Sequence, residues 1–178
     1  LDYGDRPINI EGACFLPNGR LLIGLRYPVT AEGHPILVEV DGVDRLFIKH
    51  GSRKYGVPVA TRVIVLEDVG SVDGPMGVRA MDSRGNTVHA IVGNLDSDPD
   101  ESQVLADTPH GHAANNVHVT FDILDSDGSG LARLKTRTVH EFGEDAVVEG
   151  ITLYEDGTIW YAHDKDDAIV LHEKRGDS

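Results

Sequence analysis

The sequence contains a single cysteine, Cys14, which excludes any internal disulfide and any zinc site built from cysteine pairs. Basic residues are also scarce, with 16 Lys plus Arg against 30 Asp plus Glu and a formal charge of -14. A field of that sign repels nucleic acid and anionic membranes, because phosphate recognition requires the opposite sign. Neither is expected as a partner. No apolar run approaches the roughly 20 residues that cross a bilayer as a helix; the longest, around Leu21 to Leu25, is strand-sized. The opening Leu1-Asp2-Tyr3-Gly4-Asp5 shows no initiating Met and no basic-then-apolar leader, so no signal peptide is expected there. Several catalytic signatures are missing too: a Gly-x-Ser-x-Gly elbow, a His-Glu-x-x-His pair, a phosphate-cradling glycine loop with Lys, and a dinucleotide fingerprint.

What is present reads as β-structure. Val (20) and Ile (11) fall in short runs punctuated by Gly (20) and Pro (8). Strands are expected at Gly12 to Leu16, Arg20 to Arg26, Pro35 to Val40, Thr61 to Glu67, Gly77 to Asp82, Thr87 to Gly93, Val117 to Leu124, Ala132 to Phe142, Val148 to Tyr154, Thr158 to His163 and Ala168 to His172. The best helix candidate is short, Pro99 to Ala106, with Asp98 as its cap. Val43 to Tyr55 fits either a short helix or a further strand.

The sequence also repeats itself. Ile10-Glu11-Gly12 through Gly24 lies without a gap on Val148-Glu149-Gly150 through Ala162, each a strand, a polar-Gly turn and a second strand. A third copy, Val78-Arg79-Ala80 through Val92, is about two residues shorter and has Arg79 where the others have Glu. Hairpins at near-constant spacing, with two further strands between them, are the sequence form of radially repeated four-stranded sheets. Each such unit is stable only when a neighbour covers its apolar face. The chain, residues 1–178, therefore reads as one all-β domain: a partial β-propeller of about two and a half four-stranded blades, the C-terminal part of a longer one. Insertions at 41–60 and 95–116 account for the wide spacing. The alternative is a self-contained β-sandwich whose hairpins are alike by chance.

Asn9-Ile10-Glu11-Gly12, Gly19 through Arg26, Gly77-Val78-Arg79 and Val148-Glu149-Gly150-Ile151 resemble the bacterial family catalogued as domain of unknown function 3616. That resemblance implies a β-propeller-like fold and no particular activity. A looser similarity is to calcium-dependent propeller hydrolases of the gluconolactonase and strictosidine-synthase kind. In those proteins a Glu-Gly at the start of an inner strand supplies a metal ligand. Glu11-Gly12 and Glu149-Gly150 match this pattern and Arg79 departs from it.

In propeller geometry the inner strands begin on the face where the second strands end. Glu11, Arg79 and Glu149 are then expected to ring one funnel mouth together with Arg26, Asn94 and Asp164. Glu11, Asn94, Asp96 and Glu149 could hold Ca²⁺, a hard cation that takes oxygen ligands. The arginines could instead orient an anionic ligand through their fork of donors. The plain structural alternative is a charge network that closes the channel, since buried charges must be paired in any case.

Three other motifs are weaker. Asn94 to Glu101 and Asp125 to Gly130 are acid-rich but depart from a calcium loop, with Glu101 at the sharp-turn glycine position and Thr136 at the bidentate Glu position. The only histidine cluster is His110-Gly111-His112 with His118, a faint transition-metal signal. Cys14, inside an apolar run, reads as a small core residue. Two functions remain open: a module whose polar funnel binds a small ligand or protein partner, and a Ca²⁺-dependent hydrolase of an ester, lactone or phosphoester.

Overall fold

Alternation sets the strands. In Asn9–Phe15 (β1), Gly12 and Cys14 turn inward while Ala13 and Phe15 face out. The computed structural model describes residues 8–46, 57–71, 74–95, 115–123, 130–143, 146–165 and 168–174. The remaining strands are Leu21–Tyr27 (β2), Ile36–Asp41 (β3), Val59–Leu66 (β4), Met76–Arg84 (β5), Thr87–Asn94 (β6), Val117–Asp122 (β7), Gly130–Leu134 (β8), Arg137–Glu141 (β9), Val147–Leu153 (β10), Ile159–Lys165 (β11) and Ala168–Lys174 (β12). They form three sheets, ordered β1-β2-β3-β4-β8, β5-β6-β7-β9 and β10-β11-β12. Val43–Leu46 is a single 3-10 turn, which resolves the start of the ambiguous stretch. Among the described residues no helix is long and apolar enough to cross a membrane. The expected helix at Pro99 to Ala106 lies outside the described residues.

The first and last hairpins share their turn chemistry. The Leu16 N–H donates to the Arg20 carbonyl (2.9 Å) and the Tyr154 N–H to the Thr158 carbonyl (2.9 Å). Asn18 Oδ1 accepts from the Arg20 N–H and Asp156 Oδ1 from the Thr158 N–H. Gly19 (φ 80°) and Gly157 (φ 88°) take the left-handed conformation each turn requires.

One expected strand is in fact two. Ala132 to Phe142 divides into β8, paired parallel to β4 in the first sheet, and β9, paired antiparallel to β7 in the second. The break occurs at Lys135-Thr136, where the Thr136 N–H donates to both Asp68 carboxylate oxygens (2.9 and 3.0 Å) and its hydroxyl to Oδ1. Those bonds replace ladder pairing, so the chain crosses from one sheet to the next. Among the described residues the sheets accordingly hold five, four and three strands, where the sequence suggested about two and a half units of four.

The second sheet lies between the other two, with β5, β6 and β7 largely buried and β9 exposed at its edge. One face joins the first sheet in a core of Cys14, Leu22, Leu37, Ile64, Val78, Val88 and Phe121, among others. The other joins the third sheet through Ala80, Ile91, Val148 and Tyr161. Cys14 is thus a core residue, its thiol pushed up to about 11 by burial. Within the first sheet, buried Glu39 is held by Arg20 (2.6 Å) and Arg62 (2.6 Å), which satisfies a carboxylate that could not be left alone there.

His118 adds a polar tie between the second and third sheets. Its side chain is fully buried; Nε2 lies 2.9 Å from His89 Nδ1, and Nδ1 lies 2.8 Å from the Tyr161 hydroxyl. Burial, reinforced by the charges of His89, Lys174 and His140, depresses its pKa from 6.5 to about 3. The folded protein therefore keeps His118 neutral while the unfolded chain binds its proton below about 6.5. The contribution is complete above that pH and is lost as pH falls toward 3, by at most about 1.4 kcal/mol per pH unit. Urea titrations of wild type and His118→Gln between pH 7 and pH 4 are expected to show a shallower acid decline in the variant; parallel curves would contradict a buried neutral imidazole.

Candidate functional site

The first strand of each sheet in chain order, β1, β5 and β10, carries one extra residue at the same place. Between β1 and β2 the register jumps from Ile10↔Leu25 to Gly12↔Gly24, between β5 and β6 from Val78↔Val92 to Ala80↔Ile91, and between β10 and β11 from Val148↔His163 to Gly150↔Ala162. The residues left unpaired by these bulges are Glu11, Arg79 and Glu149. A bulge re-aims its extra side chain out of the strict alternation. All three are charged, where the flanking positions are mostly apolar or glycine.

These residues meet across sheets. Arg79 Nη1 lies 3.5 Å from Glu149 Oε1, joining the second and third sheets, with the Arg79 side chain 1% exposed and that of Glu149 47%. Glu11 Oε2 accepts from Arg26 Nη1 at 3.0 Å, and its Oε1 accepts from Asn9 Nδ2 at 3.1 Å. The Glu149 carboxyl is raised above its ordinary pKa, first by desolvation; Arg79 opposes the rise, Asp164 and Glu11 add to it, and Arg26 opposes it. Five of the six residues expected at the mouth thus lie in one electrostatic neighbourhood. The sixth, Asn94, is at the end of β6, and its backbone carbonyl lies 3.5 Å from Arg79 Nη2. Asp96 lies outside the described residues, as do His110, His112 and the acidic positions 125–129.

Close backbone approach shapes the surroundings. A Cβ on Gly77 would overlap the Arg26 carbonyl oxygen, so the first and second sheets touch through backbone beside the site. A Cβ on Gly93 would overlap Asn116 Oδ1 and lie 2.5 Å from Arg79 Nε. Asn116 is fully buried; its Nδ2 donates to the Ala146 carbonyl (2.7 Å), and its Oδ1 has no hydrogen-bond partner among the described residues. This amide places an acceptor on the guanidinium side of Gly93 and anchors the segment preceding β10. Sequence reasoning passed over Asn116 because it closes a long insertion; the Gly-Val-Arg start of β5 was its only nearby signal.

The Glu11 and Glu149 carboxylates are partly exposed beside guanidinium groups that are largely buried. Among the described residues no group of three or more His, Cys, Asp and Glu side chains is set to hold a metal. A cation at the mouth would compete with Arg26 and Asn9 for Glu11 and with Arg79 for Glu149. His118, fully engaged by His89 and Tyr161, belongs to the sheet junction rather than to a metal site.

No protein-family model and no curated protein matches the chain.

Both glycines can be tested by adding a methyl group. Overpacking costs about 1–3 kcal/mol. Gly77→Ala meets backbone that cannot rotate away, whereas Gly93→Ala meets side chains that can yield. Chemical denaturation should therefore rank Gly77→Ala as the more damaging; the opposite order would contradict the backbone contact beside Arg26.

Proposed function

We propose that the chain is a β-propeller module whose inner strands present a polar funnel mouth that binds a small ligand or a protein partner. The observation that supports this is the recurrence of a charged extra residue at the same bulge in all three sheets, with Arg79 and Glu149 paired between sheets. A purely structural junction would fill the buried Arg79 position with an apolar side chain, because burying a guanidinium is costly even when it is paired. The half-exposed Glu149 leaves a carboxyl accessible at the rim, while Arg79 beneath it supplies fixed donors. A ligand carrying both hydrogen-bond donors and acceptors suits such a mixed surface better than a simple anion. The acidity of the whole chain disfavours nucleic acid and anionic membranes as partners.

The second reading, a Ca²⁺-dependent hydrolase of an ester, lactone or phosphoester, draws on the Glu-Gly starts at Glu11 and Glu149 and on the interaction of Glu149 with both Asp164 and Glu11. Both readings are tested by thermal shift with a panel of sugars, sugar acids and amino acids, and separately with Ca²⁺. A compound is expected to raise the melting temperature of wild type and of the remote surface variant Glu67→Gln, and to lose its effect in Arg79→Met and Glu149→Gln. Retention of the shift in both mouth variants would overturn the assignment. A Ca²⁺ shift abolished by Glu149→Gln would select the hydrolase.

A further inference from the structure

Histidine is unevenly placed in the fold. Of the six histidines among the described residues, His89, His118, His140, His163 and His172 form one cluster where the second and third sheets meet. The sixth, His34, sits apart, its Nδ1 2.8 Å from the Val69 carbonyl oxygen. His118 and His163 are each more than nine-tenths buried, one from either side of the junction. Between them stand Tyr161 and Phe142, with ring centroids 5.0 Å apart; His118 lies 5.6 Å from Tyr161 and His163 5.6 Å from Phe142. His89, His140 and His172 extend the cluster outward, at 5.1 Å from His118, 4.6 Å from Phe142 and 4.5 Å from His163.

The two junctions differ in what else holds them. The core shared with the first sheet joins fifteen buried apolar residues, and the core shared with the third joins only Ala80, Ile91, Val148 and Tyr161. Polar ties run from the Leu153 N–H to Asp82, from Arg84 to the Glu155 carbonyl and from Lys174 to the Val139 carbonyl. With so small an apolar core, the junction depends on its imidazoles staying neutral.

A proton on the buried rings meets repulsion. His118 faces His89, Lys174 and His140; His163 faces His172, Lys165 and His140. Burial first, and then every one of these groups, holds both rings below the ordinary imidazole value. Nearer the rim, Glu141 stands against Lys174 at His140, and Asp82 against Arg137 and Arg84 at His89; burial still lowers both. The 2.9 Å contact between His89 Nδ1 and His118 Nε2 needs one bare nitrogen, and protonation of both rings puts hydrogen on both facing atoms. His163 Nε2 is buried with no hydrogen-bond partner among the described residues, so a proton there has no acceptor.

We propose that this junction is an acid-operated latch: protonation of the histidine cluster releases the third sheet from the second while the first and second stay together, and so withdraws Glu149 from Arg79. The closed state keeps the rings neutral, whereas in the open state they titrate near 6.5. The latch therefore holds above about pH 6.5 and weakens as pH falls below it, by up to about tenfold per pH unit for each histidine that gains a proton on opening. That the mouth then loses a bound molecule rests on the binding reading above; the opening itself does not.

Backbone hydrogen exchange from pH 7.5 to 4.5, referred to the unfolded chain at each pH, is the test, in a range where most carboxylates stay ionised. Protection of β10, β11 and β12 is expected to be lost at a pH where β2 and β3 are still protected and Cys14 is still closed to a thiol reagent. His163→Phe keeps an aromatic ring against Phe142 and removes a titratable group; it and His118→Gln are each expected to make the loss shallower, by up to about tenfold per pH unit. Loss of protection in all three sheets at once, protection of the third sheet retained down to pH 4.5, or an unchanged acid slope in both variants would overturn the proposal. The mouth assignment is read at neutral pH, where the junction is closed, and so stands or falls separately.

Discussion

The structure depends on a guanidinium taken out of water. Arg79 lies almost wholly buried between the second and third sheets, and a charge in that position is tolerated only if opposite charge and hydrogen-bond acceptors reach it. The bulges make this possible. By placing one extra residue at the same point in β1, β5 and β10, they release Glu11, Arg79 and Glu149 from the strict in-and-out alternation. The same register shift leaves small residues, Gly12 with Gly24, where the next sheet must approach.

Site and core are therefore one construction. Val78 and Val148, the side chains before the second and third bulges, pack against the preceding sheet, and the residue that follows each of them is the charged one. Polar ties complete the junctions: His118 bridges His89 and Tyr161, while Asn116 holds the approach to β10. Glycines at 77 and 93 let the backbone of one sheet and the side chains of another come close beside Arg79. Displacement at any of these points would move the guanidinium relative to Glu149, so packing and electrostatics at the mouth are coupled.

Much of this was legible in the sequence because hairpins carry local signals. The polar-Gly turns at Gly19 and Gly157, and the Glu-Gly and Gly-Val-Arg starts, located the three inner hairpins and named Glu11, Arg79 and Glu149 together. The strands came out within a few residues of their ends. What escaped was non-local. Nothing near Ala132 to Phe142 announces that the chain changes sheets at Thr136, because the cause is Asp68, far upstream. The parallel pairing of β8 with β4 has no turn to signal it. His118 was grouped with His110 and His112 by proximity in sequence, whereas its partners come from β6 and β11. The bulges themselves were invisible, since one extra residue changes the register without changing the composition.

The most direct measurement of the convergence of these charges is the titration of the Glu149 carboxyl by carbon-detected NMR in wild type, Arg79→Met and Glu11→Gln. Arg79 lowers and Glu11 raises the Glu149 pKa, so removing the first should push it up and removing the second should bring it down. Shifts of opposite sign from residues on two other sheets require all three side chains to face one another. A Glu149 pKa that ignores both substitutions would contradict the account.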